Sequence, residues 1–265
     1  MDGFSLAPFG PTPHPFNDKK SAMNQSKSKN NPSVLLWGKH VVQAVLHNPD
    51  RHIECLYTTS THPEPLFNTQ RCPIRVVTTD QLVQWLPRGA VHQGVAVRTS
   101  PLNTPDVGEL DPKKGMVLIL DGIVDPHNVG ALWRSAAVFG ASALIVTKNN
   151  CPPLDGVVSK TACGASELIP CISVSNLVRA METLKTRGFF CVGLAEEGAI
   201  PLENLDLWPL ALVIGSEGVG LRRLTRQCCD ALVSISSAGA FSTLNASVAG
   251  AIALQKGLQI GKTQR

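Results

Sequence analysis

Three glycine-bearing polar segments hold the residue types that could do chemistry in this chain. The first is Asp121-Gly-Ile-Val-Asp-Pro-His-Asn-Val-Gly130. Pro126 fixes a turn there, and Asn128 is a natural N-cap for a following helix. Arg134 comes about a turn and a half later, among Ala, Leu, Val and Phe. A guanidinium on so apolar a helix needs a partner. That partner could be a ligand, or an ion pair that serves only structure. The second segment is Val213-Ile-Gly-Ser-Glu-Gly-Val-Gly220. Its Gly-x-x-Gly-x-Gly order is not the dinucleotide Gly-x-Gly-x-x-Gly, and it lacks the Gly-Lys-Ser/Thr of a P-loop. Glu217 puts negative charge where a phosphate loop avoids it. It suits a cationic ligand, or one with hydroxyl and amino donors. The third segment runs from Ile235 to Ala249 and is rich in Ser, Ala and Gly. Side chains this small leave backbone groups accessible, and Thr243 and Asn245 offer polar groups at a helix start. A plain capped helix, a tight Gly turn and a Ser/Gly loop would each explain one segment. All three in order, at successive strand ends, are a stronger signal.

The elements that must position these segments follow from the apolar pattern. Met116–Leu120 is a continuous apolar run, as in a strand buried on both faces. Helix is expected over 128–139, strand over 143–147, helix over 177–186, strand over 189–194 and strand over 210–214. A helix around 221–227, a strand over 231–235 and a closing helix over 244–258 complete the series. This alternation predicts an α/β domain with a parallel sheet and helices on both faces. In such sheets ligands bind at the carboxyl ends of the strands, where all three segments lie.

Upstream, residues 34–99 read as a small α/β domain. Helix is expected over 39–47, strands over 53–58, 74–77 and 91–97, and a helix capped by Thr79 or Asp80 through Trp85. Residues 100–114, with Pro101, Pro105 and Pro112, read as a linker to a domain spanning 115–265. Residues 1–33 hold Pro, Asn, Ser and Lys and are expected to form a disordered tail.

The chain has 265 residues, 43% hydrophobic and 17% charged, which is enough apolar surface for a real core. Only one Tyr accompanies eight Phe, so a platform of many stacking aromatics is not expected. The net charge of +4 is uneven: residues 1–100 hold ten Lys/Arg against six Asp/Glu, whereas the remainder holds fourteen of each. Any footprint for an acidic polymer therefore lies in the N-terminal part, although ordinary solubility explains such an excess too. The eight Cys form no Cys-x-x-Cys and no zinc spacing with His. They read as free thiols, several of them buried, in a reducing compartment. Residues 1–20 lack the apolar core of a secretory signal. The longest uncharged stretch, 231–255, is too polar to span a membrane. The expected location is the cytoplasm, with no metal and no membrane contact.

At this point the residues resemble a known family, the SpoU-type (TrmH-like) RNA 2′-O-ribose methyltransferases of the knotted SPOUT class. Leu120–Arg134 with Phe139-Gly140 matches its first motif. Ile214-Gly-Ser-Glu-Gly218 with Gly220-Leu221 matches the second, and Thr243-Leu-Asn-Ala-Ser-Val-Ala249 the third. Trp37–Val42, Val91–Val95 and Val158–Ala165 also look like family segments. The likeness covers about residues 34–258, and it is greatest to the branch acting on a guanosine ribose of large-subunit ribosomal RNA. It implies an α/β fold with a deep trefoil knot in the C-terminal parallel-sheet domain, which is an exception to the rule against knots. It further implies a small N-terminal RNA-binding domain and a homodimer. The implied activity is ribose 2′-O-methylation from S-adenosylmethionine. Asn128 is similar to the Asn that orders the active-site loop. Arg134 matches the Arg said to take the 2′-hydroxyl proton or hold the target phosphate. Glu217 is similar to a supporting acid, and Thr243 and Asn245 match the family's Ser-Leu-Asn. Ile214, Gly215, Gly218, Ile235 and Leu244 fall where the family cradles the cofactor. Thr243 replaces Ser, Ser236-Ser237 stand where Pro-Met is common, and Ser216 where Asn or Ala is usual.

Such a transfer needs oxygen, methyl and sulfur in line, and alignment can supply roughly 7–11 kcal/mol. It also needs a proton removed from a weak acid. A guanidinium with a pKa above about 12 is a poor base, so Arg134 is read as a holder of phosphate or oxyanion. Transfer RNA as substrate, and a non-catalytic RNA-binding protein on the same scaffold, are the alternatives. The intact Arg134, Glu217 and Asn245 weigh against the second.

Overall fold

The computed structural model describes residues 33–61, 69–154, 156–239 and 243–264. Except for Ser33, the expected tail lies outside them.

The first sheet has four strands. β1 (Val34–Trp37), β2 (Ile53–Thr58), β3 (Ile74–Val76) and β4 (Val95–Thr99) lie in the order β1-β4-β2-β3. β4 runs antiparallel to β1 and β2, while β2 and β3 are parallel. A helix covers each face. α1 (Lys39–His47) buries Val41, Val42, Val45 and Leu46 against Leu36, Ile53, Leu56 and Val97. α2 (Thr79–Trp85) buries Leu82 with Trp37, Tyr57 and Ala96 on the other face. The cap of α2 is Thr78, one residue before the expected position. Its hydroxyl accepts from the Gln81 N–H while the Gln81 side chain returns to the Thr78 N–H, a reciprocal capping box. The strand expected over 91–97 begins only at Val95. Gln93 and Gly94, with φ of 55° and 78°, turn the backbone out of the extended path.

The second sheet has seven strands, all parallel, in the order β7-β6-β5-β10-β8-β11-β9. These are β5 (Met116–Asp121), β6 (Ala143–Thr147), β7 (Cys171–Val174), β8 (Phe190–Leu194), β9 (Ile200–Pro201), β10 (Leu210–Gly215) and β11 (Ala231–Ser234). Side chains of β5 alternate between two cores, as a strand's pleat requires. Met116, Leu118 and Leu120 join α3 (Pro126–Val138) and α7 (Ala246–Thr263) on one face. Val117 and Ile119 join α5 (Leu177–Thr186) on the other. After β11 the chain returns to the middle of the sheet, where α7 packs on α3 and β10. A knotted chain needs such a crossing back. The stretch 100–114 contains two 3-10 turns, and Leu110 is buried in the α5-side core.

α4 (Gly156–Thr161), β1, β7 and β9 are additions to the expected elements. All are six residues or shorter, too short for a period to show. α6 (Arg223–Cys228) starts two residues later than expected, and α7 extends five residues further. Among the described residues no helix is long and apolar enough to cross a membrane, and no group of three or more His, Cys, Asp or Glu could hold a metal ion. Every cysteine is free, and Cys55, Cys171 and Cys191 are buried.

Candidate active site

The three segments do meet, at the carboxyl ends of β5, β10 and β11. The β10 loop turns tightly: Ser216 and Gly220 form an isolated bridge, with the Gly220 N–H donating to the Ser216 carbonyl at 2.9 Å. A Cβ on Gly215 would lie 2.2 Å from the Gly220 carbonyl carbon, so only glycine permits this closure. Gly218, with φ of 79°, takes the left-handed turn residue, and the turn presents Glu217 to solvent.

Glu217 is the centre of the site. Its Oε1 accepts from Asn245 Nδ2 at 2.6 Å, Asn128 Nδ2 at 3.1 Å and the Ala246 N–H at 3.4 Å. Asn245 Nδ2 also donates to Asn128 Oδ1 at 3.1 Å. One carboxylate oxygen thus joins all three segments. Its Oε2 carries no hydrogen bond among the described residues and is open to a ligand. Asn245 is in addition the N-cap of α7, its Oδ1 accepting from the Ser247 N–H at 2.9 Å. The expectation that Asn128 caps α3 needs correction. Asp125 is the cap, accepting from the His127 N–H at 2.9 Å. Asn128 sits inside the first turn, so its amide is free to turn toward Glu217.

Arg134 stands apart from this cluster. Six residues beyond Asn128, it lies roughly 9 Å further along the axis and about 240° around it. Its side chain is exposed, and its Nη1 donates to Cys163 Sγ at 3.5 Å. Arg134 makes no structural ion pair among the described residues, because the helix turns this position to solvent. Arg134 instead lines a cleft of about 420 Å³ with His40, Val138, Cys163, Ala165 and Leu168. Thr243 and Leu244 are exposed just before α7, Ile235 is half-buried after β11, and Ile214 is buried at the end of β10.

Sequence reasoning assigned no role to Asp121, although it stands in the first motif. It is 1% exposed, and its Oδ2 accepts from the Arg222 N–H at 2.8 Å. Its Oδ1 faces the Arg222 guanidinium at 3.6 Å. This contact ties the end of β5 to the loop after β10 and so holds the first two segments together. A carboxylate closing an apolar strand was the available signal.

Two matches to known families divide the chain. Residues 115–255 match the SpoU rRNA methylase family, and residues 35–105 match RNA 2′-O ribose methyltransferase substrate binding. The chain belongs to the SpoU rRNA methylase family. Among its members, the 23S rRNA (guanosine-2′-O-)-methyltransferase RlmB of Pseudomonas putida is 36% identical over 87% of this chain and 98% of its own. The enzyme of the same name from Photobacterium profundum is 43% identical over 83% and 95%. Among solved SpoU structures, AviRb of Streptomyces viridochromogenes in complex with AdoMet shares the fold. Its TM-score is 0.74 at 22% identity, over 86% of this chain and 89% of that one. Membership agrees with the resemblance read from the three motifs.

Proposed function

We propose that this chain methylates the 2′-hydroxyl of a guanosine ribose in 23S-type ribosomal RNA, using S-adenosylmethionine. The observation that carries the reading is the single Glu217 oxygen gathering Asn128 and Asn245 at the carboxyl ends of a parallel sheet. The same activity is named for relatives that align with 87% and 83% of this chain.

The residues present fit the cofactor. Gly218 and Gly220 face open space, and Val219 between them and Leu244 just before α7 expose apolar surface at 77% and 46%. Backbone groups at Gly215, Gly218 and Ile235, with the apolar Ile214 and Leu244, would hold a nucleoside with few side-chain contacts. When bound, S-adenosylmethionine supplies the activated methyl group. The chain's own part is to hold and orient. Glu217 fixes the amides of Asn128 and Asn245, and its second oxygen is left to accept from a hydroxyl or amino group. Thr243 offers a hydroxyl at the same rim. Arg134, always charged, holds the target phosphate or the developing 2′-oxyanion and lowers the cost of losing the proton.

The small sheet, within residues 34–99, would recognise RNA, and 115–265 would carry the chemistry, with 100–114 joining them. The working form is a homodimer in the cytoplasm. Supporting this, Val138 on α3 and Val248 and Ile252 on α7 are 70%, 48% and 39% exposed on helices that pack together. The test is transfer of labelled methyl to unmodified total RNA. Label on one ribose 2′-oxygen of large-subunit RNA is expected. Label on transfer RNA would move the substrate, and cofactor binding without transfer to any RNA would overturn the reading.

A further inference from the structure

Three segments singled out in the sequence, Trp37–Val42, Val91–Val95 and Val158–Ala165, take no part in the Glu217 cluster. The structure brings all three to one joint between the two sheets. Gln93 Oε1 accepts from the Lys39 N–H at 3.1 Å and from Lys160 Nζ at 2.8 Å. Gln93 holds a φ of 55°, a conformation that few residues other than glycine adopt. The Lys160 ammonium rests on Gly38, where a Cβ would meet it at 2.2 Å. The Trp37 ring fills the space that a Cβ on Gly156 would need, and Ala44 does the same at Gly164.

The other end of the joint is ionic. Arg51, just before β2, meets Glu167 in a two-pronged pair: Nε to Oε2 and Nη2 to Oε1, each at 2.8 Å. These side chains are 7% and 2% exposed. Asn48 Nδ2 adds a third donor to Oε2 at 3.0 Å, and Arg51 Nη1 reaches the Ser100 carbonyl. A buried ion pair is a poor source of net stability, since packed apolar residues often do as well. What a bidentate fork adds is one fixed geometry. The cleft at Arg134 spans this joint: His40 comes from α1 of the small sheet, Arg134 from α3 of the large one.

We infer that Arg51, Glu167, Gln93 and Lys160 are positioning residues that lock the small sheet against the large one, so that RNA held on the first presents its ribose to Arg134 at a fixed reach. This rests on the proposed RNA methyl transfer. Misplacement by about 1 Å can cost 10²-fold in rate, so the joint acts on turnover more than on binding.

The test uses the full chain with Glu167→Gln, Arg51→Lys and Lys160→Met, with Lys160→Arg as the conservative variant that keeps a donor to Gln93. The expected result is a tenfold or greater fall in kcat for the first three, with RNA affinity changed less than threefold. Cofactor affinity and binding stoichiometry stay at the wild-type level, and Lys160→Arg recovers most of the rate. Amide exchange without RNA should quicken along 39–47 and 158–168, while β5 and β10 keep their protection. A fall in kcat matched by a fall in cofactor stoichiometry would mean simple unfolding and overturn the inference. So would faster exchange with unchanged kcat. If the buried-pair variants fail to fold, Lys160→Met and Gln93→Ala, on the exposed end, carry the same test. A wild-type protein that transfers nothing to any RNA sinks the functional reading instead, and the exchange arm then decides on its own whether the joint holds the sheets.

Discussion

The Glu217 cluster and Arg134 are both assigned to one reaction, yet they are built differently. At Glu217 the donors and acceptors are already matched within the chain: two amides and a backbone N–H converge on one oxygen. At Arg134 a guanidinium with five donors faces solvent and touches one sulfur. The first arrangement is complete before any ligand arrives, and its role is to hold loops and leave one oxygen free. The second gains its partners only from a ligand or from another chain. A group that orients others and a group that waits for substrate should fail differently when altered.

The largest effect is expected at Arg134. Arg134→Ala should lower methyl transfer by about 10²–10³-fold, the scale for removing one donor to developing negative charge. Cofactor affinity should stay unchanged, as read by calorimetry. Arg134→Lys keeps the charge but loses the fork and should recover only part of the rate. Full recovery would refute bidentate holding. Glu217→Ala should cost less, roughly 10–100-fold, as when a group that orients working residues is removed. Here cofactor affinity should fall together with the rate, because the loops at β10 and α7 lose their shared acceptor. If the two variants gave the same pattern, the contrast between the regions would be lost.

A subtler pair divides Asn245 into its two tasks. Asn245→Ala loses both the α7 cap and the amide to Glu217. It should cost about 1 kcal/mol of stability, the usual worth of a cap, and slow transfer as well. Asn245→Asp keeps a capping oxygen, since Asp caps as well as Asn, but sets a second carboxylate beside Glu217. Thermal unfolding near the wild-type temperature with depressed transfer would confirm that the tasks are separable. Equal loss of stability in both variants would show that the contact to Glu217 is structural.

The two regions also differed in how far the sequence revealed them. The parallel sheet was legible because β5, β6 and β10 are largely apolar runs of five or six residues buried on both faces. Glu217 and Asn245 were legible only because three polar segments stand in order at successive strand ends; a glycine turn or a helix start alone would have explained either one. The place of Asn128 was misjudged by three residues, most of a turn, since Asp125 and Asn128 are both good caps and only the structure chooses between them. For Arg134 the sequence left a ligand and a structural ion pair both open, and helical phase, which turns the position to solvent, removes the second. The joint between the sheets was invisible for another reason. Arg51 and Glu167 are 116 residues apart, and no local pattern announces a pair across that distance.

The smallest expected effect tests the separation of the regions by chemistry rather than by substitution. Cys163 is exposed and touches Arg134, whereas burial pushes the thiols of Cys151, Cys191 and Cys229 up to about 11, 12 and 12. At pH 8 those three stay protonated and shielded, and the thiolate is the form that reacts. Brief iodoacetamide treatment should therefore label Cys163 first, as peptide mass mapping would show. The added amide crowds the Arg134 cleft and should lower transfer severalfold. It leaves Asn128, Glu217 and Asn245 untouched, so cofactor affinity should hold, and bound RNA should slow the labelling. Loss of cofactor affinity on labelling Cys163 alone would mean that the two regions respond as one, and that Arg134 is coupled to the Glu217 cluster more tightly than the helix geometry allows.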